Sequence, residues 1–157
     1  MKILMNIRWA AFTILIGATA LPAQELTTIE RWNADRAIVF DAADITLSEL
    51  QWQARPLVVF ADTPNDPNFQ QQIDLLLARM EELALRDVIV LTDTDPAAMS
   101  NLRTQLRPRG FMLALLAKDG TVAFRKPFPW DVREISRSID KMPLRDQEIR
   151  DRRDLNQ

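Results

Sequence analysis

The sequence contains no cysteine, no histidine and no tyrosine, and only three of its 157 residues are glycine. The absence of cysteine excludes disulfide bonds, thiol redox chemistry and thiolate metal ligands. Without histidine as well, the usual zinc and haem sites and every Ser-His or Cys-His nucleophile pair are excluded. We also expect no histidine-based pH switch. The chemistry left to the protein is that of carboxylates, hydroxyls and cationic side chains.

The composition suits one globular domain. Hydrophobic residues make up 47% of the chain and charged residues 27%, which is enough for a single core at this length. The basic start, which carries Lys2 and Arg8, is followed by an uncharged and mostly apolar stretch at residues 9–20. That stretch is too short to cross a bilayer as a helix.

The N-terminal segment has the order of a secretory signal peptide: a basic start, an apolar middle and small residues at its end. The pattern predicts a signal over residues 1–23, with cleavage between Ala23 and Gln24; cleavage after Ala20 is the alternative. An uncleaved amphipathic anchor or a buried N-terminal helix is the other interpretation of this segment. Cleavage predicts a periplasmic or secreted protein with no membrane span after the signal is removed.

The charge balance argues against nucleic acid as a partner. The whole chain has a formal net charge of −2, and removal of residues 1–23 takes away two basic and no acidic residues, which leaves −4. Binding to nucleic acid or to an anionic membrane normally needs a concentrated positive field. We therefore expect a protein or a small molecule as the partner.

Apolar runs predict the strands of a mixed sheet. Residues 56–61 and 88–91 are continuously apolar, which is typical of parallel strands buried on both faces. Residues 111–117 predict a third strand, followed by a two-residue hairpin turn at Asp119 and Gly120 and a returning antiparallel strand at 122–124. An additional edge strand is predicted at residues 37–40 in front of these.

Capping patterns and helical spacing predict the helices between the strands. A capping box at Thr46 and Glu49 predicts a short helix to about residue 53. An Asp-Pro pair opens each of two further helices, one of about 18 residues from residue 66 and one over 95–106. A helix with one apolar stripe is predicted over 131–142, where Asp131 and Glu134 resemble another capping box. Residues 144–157 form a charged C-terminal tail that we expect to be a solvated helix or frayed.

The resulting order is β-α-β-α-β-β-α with an added N-terminal strand and short helix. It predicts an α/β protein of thioredoxin-like fold, with a central mixed sheet flanked by helices. Four strings in this order also resemble the bacterial domain-of-unknown-function 4174 family: residues 55–61 (RPLVVFA), 86–91 (RDVIVL), 118–120 (KDG) and 139–145 (IDKMPLR). The resemblance covers about residues 40–150. It implies a small exported chain with a thioredoxin-like or peroxiredoxin-like fold, and it implies no activity.

The sequence departs from working thioredoxins in the loop after the first central strand. In those enzymes a Cys-x-x-Cys pair lies there, at the start of the long helix. Here residues 62–67 read DTPNDP. The loop has neither a nucleophilic nor a resolving thiol, so we expect no thiol redox or peroxidase activity and no cofactor.

Carboxylates at the ends of the two central strands are the candidate metal-binding residues. Asp62 and Asp66 follow the first strand, and Asp93 and Asp95 follow the second. Parallel strands end at the same edge of a sheet, where α/β proteins usually bind ligands, and calcium and magnesium prefer such oxygen ligands. The alternative interpretation assigns Asp66 and Asp95 to helix caps and treats Asp62 and Asp93 as ordinary turn residues.

Two other groups of residues have a structural and a binding interpretation. Arg103, Arg107 and Arg109 suit a solvated helix face, and the alternative interpretation is that they bind an acidic group. Three tryptophans at element boundaries suit half-buried positions at the core rim and could equally anchor a partner: Trp32, Trp52 and Trp130.

The sequence predicts an exported, cysteine-free thioredoxin-like protein of unknown function that acts as a non-redox binding or scaffold protein. The alternative is a small enzyme or metal-binding protein that uses the carboxylate cluster at the strand ends.

Overall fold

A computed structural model describes residues 25–155, apart from the side chain of Asp44. The predicted signal at residues 1–23 and the junction between Ala23 and Gln24 lie outside the described residues. None of the described helices combines the length and the apolar character needed to cross a membrane.

Five strands form one mixed sheet in the order β1-β3-β2-β4-β5. The strands β1, β2 and β3 are mutually parallel, whereas β4 runs antiparallel to β2 and β5 antiparallel to β4. Their bounds are β1 Val39–Asp41, β2 Arg55–Phe60, β3 Val88–Asp93, β4 Met112–Leu116 and β5 Val122–Lys126. The predicted edge strand, central strand and returning strand are thereby confirmed.

Helices cover both faces of the sheet and follow the predicted order, with one helix added at the front. Their bounds are α1 Thr28–Ala34, α2 Leu47–Leu50, α3 Pro67–Leu77, α4 Met80–Ala84, α5 Asn101–Leu106, α6 Val132–Asp140 and α7 Arg145–Asp154. Short 3-10 turns lie at Ala42–Asp44 and Pro96–Ala98. The architecture is a mixed α/β sheet flanked by helices, consistent with the thioredoxin-like fold.

The central strand β2 separates two hydrophobic cores. Leu57 and Val59 face the core that contains α3, α4 and α6, whereas Val58 and Phe60 face the core that contains α1, α2 and α5. All six residues of β2 are buried. For Pro56 to Phe60 the continuous apolar run predicted this, whereas the burial of Arg55 was not predicted. Burying each such side chain contributes about 1.5–3 kcal/mol, so the paired cores can hold the domain together without disulfides.

Two predicted helices are interrupted. The predicted 18-residue helix breaks between α3 and α4, because Arg79 has the non-helical backbone angles φ −142° and ψ 35°. The helix predicted over 95–106 is also divided, since Met99 adopts a left-handed conformation and α5 begins only after the N-cap Ser100.

Three further details differ from the predictions. The hydroxyl of Thr46 donates to the Glu49 carboxylate at 2.6 Å and caps no backbone N–H, so the predicted capping box does not form. The hairpin turn is longer than two residues and runs from Ala117 to Gly120, where the Gly120 N–H donates to Ala117 O at 3.0 Å. Gly120 lies at φ 89°, which glycine tolerates without strain.

The third detail concerns the tryptophans. Trp32 is fully buried rather than at the rim, whereas Trp52 is 62% exposed. Trp130 is half-buried and packs edge-on against Phe124, with 4.8 Å between the ring centroids. Only Trp130 therefore occupies the predicted kind of position.

Candidate functional site: two charged edges of the sheet

The parallel strands define two edges of the sheet. We call the end at Phe60 and Asp93, the last residues of β2 and β3, the carboxyl edge. The end at Arg55 and Val88, their first residues, is the amino edge. These residues pair in register across the two strands. The four predicted site residues all follow the strands at the carboxyl edge.

Asp93 at the carboxyl edge is buried and fully engaged by Arg103 of α5. The Arg103 guanidinium donates to Asp93 Oδ1 from Nε at 3.0 Å and from Nη2 at 2.6 Å. Ser100 Oγ donates to the other carboxylate oxygen. Asp93 is 5% exposed and Arg103 8% exposed, so water does not screen this ion pair.

The same guanidinium joins three segments of the chain. Arg103 Nη2 also donates to the backbone carbonyls of Ala61 at 2.8 Å and Asp93 at 3.1 Å. It thereby links α5 to the ends of both central strands. The predictions that Arg103 lies on a solvated helix face and that Asp93 is an ordinary turn residue are wrong. The break at Met99 sets where α5 begins, and the helix then presents Arg103 to the strand ends.

The other three aspartates do not converge on one point. Asp66 caps α3 by accepting from the N–H groups of Asn68 at 2.8 Å and Phe69 at 3.1 Å. Asp95 caps the following 3-10 turn through Ala97 N–H at 3.0 Å. These two capping interpretations are confirmed.

Asp62 lies at the surface, with its side chain 62% exposed and Oδ1 3.8 Å from Arg103 Nη1. A cation entering between Asp62 and Asp93 would therefore meet a guanidinium. Within residues 25–155, no group of three or more Asp, Glu, Cys or His side chains is placed to hold a metal ion.

The amino edge carries a larger ionic network, which sequence reasoning did not find. Arg55 begins β2 and is only 1% exposed. It forms a two-pronged ion pair with Glu148 of α7, from Nη2 to Oε1 at 2.8 Å and from Nη1 to Oε2 at 3.1 Å. Lys118 Nζ lies 3.1 Å from the same Glu148 carboxylate and 2.8 Å from Asp87.

The network continues along α7 and to the end of α6. Asp87 is contacted by Arg36 and by Arg152, each at 3.2 Å. Arg86 pairs with Asp140 through two hydrogen bonds at 2.8 and 3.0 Å. The predicted charged tail is therefore helical through residue 154, as one of the two predicted alternatives stated, and ion pairs attach it to the domain.

Two carboxylates of this network are stabilised in their charged form. Hydrogen bonds from Arg86 are the main cause that holds the pKa of Asp140 below its ordinary value. Partial burial raises the pKa of Glu148, but hydrogen bonds from Arg55 and Lys118, with the charges of both cations, outweigh it and leave the pKa below 4.5.

A cavity of about 450 Å³ opens beside this network, lined by Trp52, Lys118, Met142 and Leu144 among others. Trp52 has the left-handed angle φ 64°. The cations of this cavity already have their carboxylate partners, so it offers a ligand mainly apolar contacts.

A signal for the amino-edge network was present in the sequence. Arg55 immediately precedes the continuously apolar run of residues 56–61. A charged residue at the start of a strand buried on both faces needs a buried counterion. Its partner, however, lies 93 positions away.

Comparison with known proteins identifies a family for this chain. Residues 46–148 match the model of the family described as "Domain of unknown function (DUF4174)". The match covers more than half of the chain. The search of curated proteins found no match.

Proposed function

The chain belongs to the DUF4174 family, and we propose that it is an exported binding or scaffold protein that carries out no redox chemistry. The proposal rests mainly on the residues found at the carboxyl edge. In thioredoxins the loop after the central strand holds the reactive thiols, and here this loop is sulfur-free. The space beside it is occupied by the Arg103–Asp93 ion pair.

That ion pair argues against catalysis by Asp93. A general base must come within hydrogen-bond reach of the substrate proton that it removes. Both carboxylate oxygens of Asp93 accept hydrogen bonds from neighbouring side chains, and the residue is 5% exposed. Its contacts are those of a structural ion pair.

Export is supported by the order of charge, apolar stretch and small residues in the N-terminal segment. We expect the protein to leave the cytoplasm for the periplasm or the exterior. The test is expression of the full chain in a bacterium with a periplasm, followed by intact-mass measurement of each fraction. The account predicts a product beginning at Gln24 outside the cytoplasm. A full-length product confined to the cytoplasm would overturn export.

The non-redox part of the proposal has its own assay. Purified protein should neither reduce insulin disulfides with a thiol donor nor turn over peroxide. A working thioredoxin, assayed in parallel, provides the positive control. Turnover above the rate of the donor alone would overturn this part of the proposal.

A further inference from the structure

A cleft lined by cations lies at the carboxyl edge, on the side of the sheet formed by β4 and β5. Its volume is about 240 Å³, and it is lined by Arg107, Arg109, Arg125 and Lys126, with Phe111 among its apolar residues. The two β5 cations reach this edge because Lys126 pairs in register with Leu113 near the start of β4. The cleft therefore brings together two basic segments that lie 16 positions apart or more.

These cations differ from the arginines described above in their lack of a carboxylate partner among the described residues. In the part of the chain that the structure describes, no ion pair engages Arg107, Arg109 or Arg125, and no acidic residue lines the cleft. Lys126 Nζ lies over the Trp130 ring, 4.2 Å from its centroid. By contrast, Arg55, Arg86 and Arg103 each have a carboxylate partner.

Arg107, Arg109 and Arg125 border the same cleft, although the net charge of the chain is −2. Lys126 follows Arg125 in β5, so its side chain lies on the other face of the sheet, where its ammonium contacts Trp130. Like charges that share a cleft repel each other, and a cleft lined by one sign of charge focuses the field on its interior. An anion that binds in the cleft reduces this repulsion and is attracted by the positive potential there. Arginine also binds oxyanions in a defined orientation, because its planar guanidinium can donate two parallel hydrogen bonds to one oxyanion.

A strand and a short loop carry these cations. Arg125 lies in β5 and pairs in register with Ala114. Arg107 is the C-cap of α5, where its N–H donates to Arg103 O at 2.9 Å, and Arg109 lies in the loop of residues 107–111 before β4. A strand holds its residues more rigidly than a loop does, so Arg125 is the most firmly placed of the three arginines.

We propose that this cleft, the basic cleft, is a binding site for an oxyanion group, a phosphate or a carboxylate, on a small ligand. The volume favours a single charged group or a compact polyanion, because sites for drug-sized ligands are usually about 300–1,000 Å³. The proposal rests on the proposed binding function and gives it a ligand class.

The test is calorimetric titration of the purified protein with two compounds, pyrophosphate and citrate, at low ionic strength. We expect saturable binding of at least one of them, which weakens as salt is added. Binding of pyrophosphate alone assigns the site to phosphates, and binding of citrate alone assigns it to carboxylates.

Arginine substitutions test whether the anion binds in the basic cleft. The double variant Arg109→Gln, Arg125→Gln should weaken binding by about tenfold or more, because charge-assisted hydrogen bonds are lost. Arg133→Gln removes an exposed arginine of α6 outside the cleft and is the matched control. Arg125→Lys keeps the charge but removes the planar guanidinium, and we expect an intermediate loss. Circular dichroism checks that each variant is folded.

Two results would overturn the proposal. One is the absence of saturable binding for both compounds at low salt. The other is binding that the double variant weakens no more than the control does. Neither result would affect the proposal that the protein carries out no redox chemistry, because the insulin and peroxide assays test redox activity independently.

Discussion

The two edges of the sheet use charge differently. At the amino edge the cations are matched by carboxylates, and the network holds α7 against the domain. At the carboxyl edge one guanidinium, that of Arg103, is buried with Asp93. The three arginines of the basic cleft, by contrast, pair with no carboxylate of residues 25–155. Matched charges stabilise the fold, whereas unmatched charges remain available to a ligand.

The segments that carry the family resemblance also contribute to the ionic network at the amino edge. Each of these four segments supplies a charged residue to the network, and these residues include Arg55, Asp87, Lys118 and Asp140. Their ion pairs connect β2, β3, the β4–β5 turn and α6. We infer that in this chain the charged residues of these segments hold α7 against the strands.

The largest predicted effect is at the carboxyl edge. Arg103→Met should reduce the free energy of unfolding by about 3–5 kcal/mol, because it leaves the Asp93 carboxylate buried without a counterion. Urea unfolding at neutral pH measures this loss. Adding Asp93→Asn to the same variant should recover part of it, since the uncompensated charge is then removed.

Arg133→Met is the matched control for that variant, because Arg133 is exposed on α6. Its effect should stay within about 0.5 kcal/mol. If Arg103→Met cost no more than the control, the carboxyl edge would not be closed by a structural ion pair.

At the amino edge we expect a smaller loss. Glu148→Gln removes the negative charge that faces Arg55 and should cost about 2 kcal/mol. The loss is smaller than at the carboxyl edge because the Gln amide oxygen still accepts and because Arg55 Nη1 keeps its hydrogen bond to Arg86 O at 2.8 Å. Glu134→Gln, which breaks the exposed pair with Arg137, should cost less than about 1 kcal/mol. Equal losses in the two variants would show that α7 is not attached through Glu148.

The pH dependence of stability should follow the same carboxylate. Because the folded-state pKa of Glu148 is below 4.5, its contribution is present above pH 4.5 and is lost as the pH falls through the folded-state value. Urea unfolding from pH 7 to pH 3 should therefore show the wild type and Glu148→Gln converging at acid pH. A gap that stays constant to pH 3 would contradict this.

The smallest predicted effect concerns a helix cap at the carboxyl edge. Asp66→Ala should cost about 1 kcal/mol, and Asp66→Asn close to nothing, because asparagine caps helices as well as aspartate does. Asp62→Ala is the control and should fall within about 0.5 kcal/mol, since Asp62 is 62% exposed. A large loss in Asp66→Asn would mean that Asp66 acts through its charge.

Local patterns predicted most of the fold. The apolar runs located the sheet, because a strand buried on both faces needs apolar residues throughout. Helix starts were less predictable, as two Thr-x-x-Glu patterns show. Thr27 and Glu30 form the reciprocal capping box of the unpredicted helix α1. The Thr46 hydroxyl instead donates to the Glu49 carboxylate and caps no backbone N–H. A capping pattern cannot tell whether the backbone will present its N–H groups to the side chain.

The charged contacts were not predictable in this way. Arg103 and Asp93 are ten positions apart, and the intervening break at Met99 decides whether they meet. Arg55 and Glu148 meet only after the whole domain has folded between them. Such pairs depend on how the folded chain places distant segments, and the spacing of apolar residues gives no information about that.

Titration with calcium, magnesium and manganese, followed by thermal unfolding, tests the structural role of the carboxyl edge most directly. A cation bound only by the folded state raises the melting temperature in a saturable way. Because Arg103 already neutralises Asp93, the account predicts no saturable rise with any of the three ions. A rise that Asp62→Asn abolishes would contradict it and would support the carboxylate cluster as a metal site.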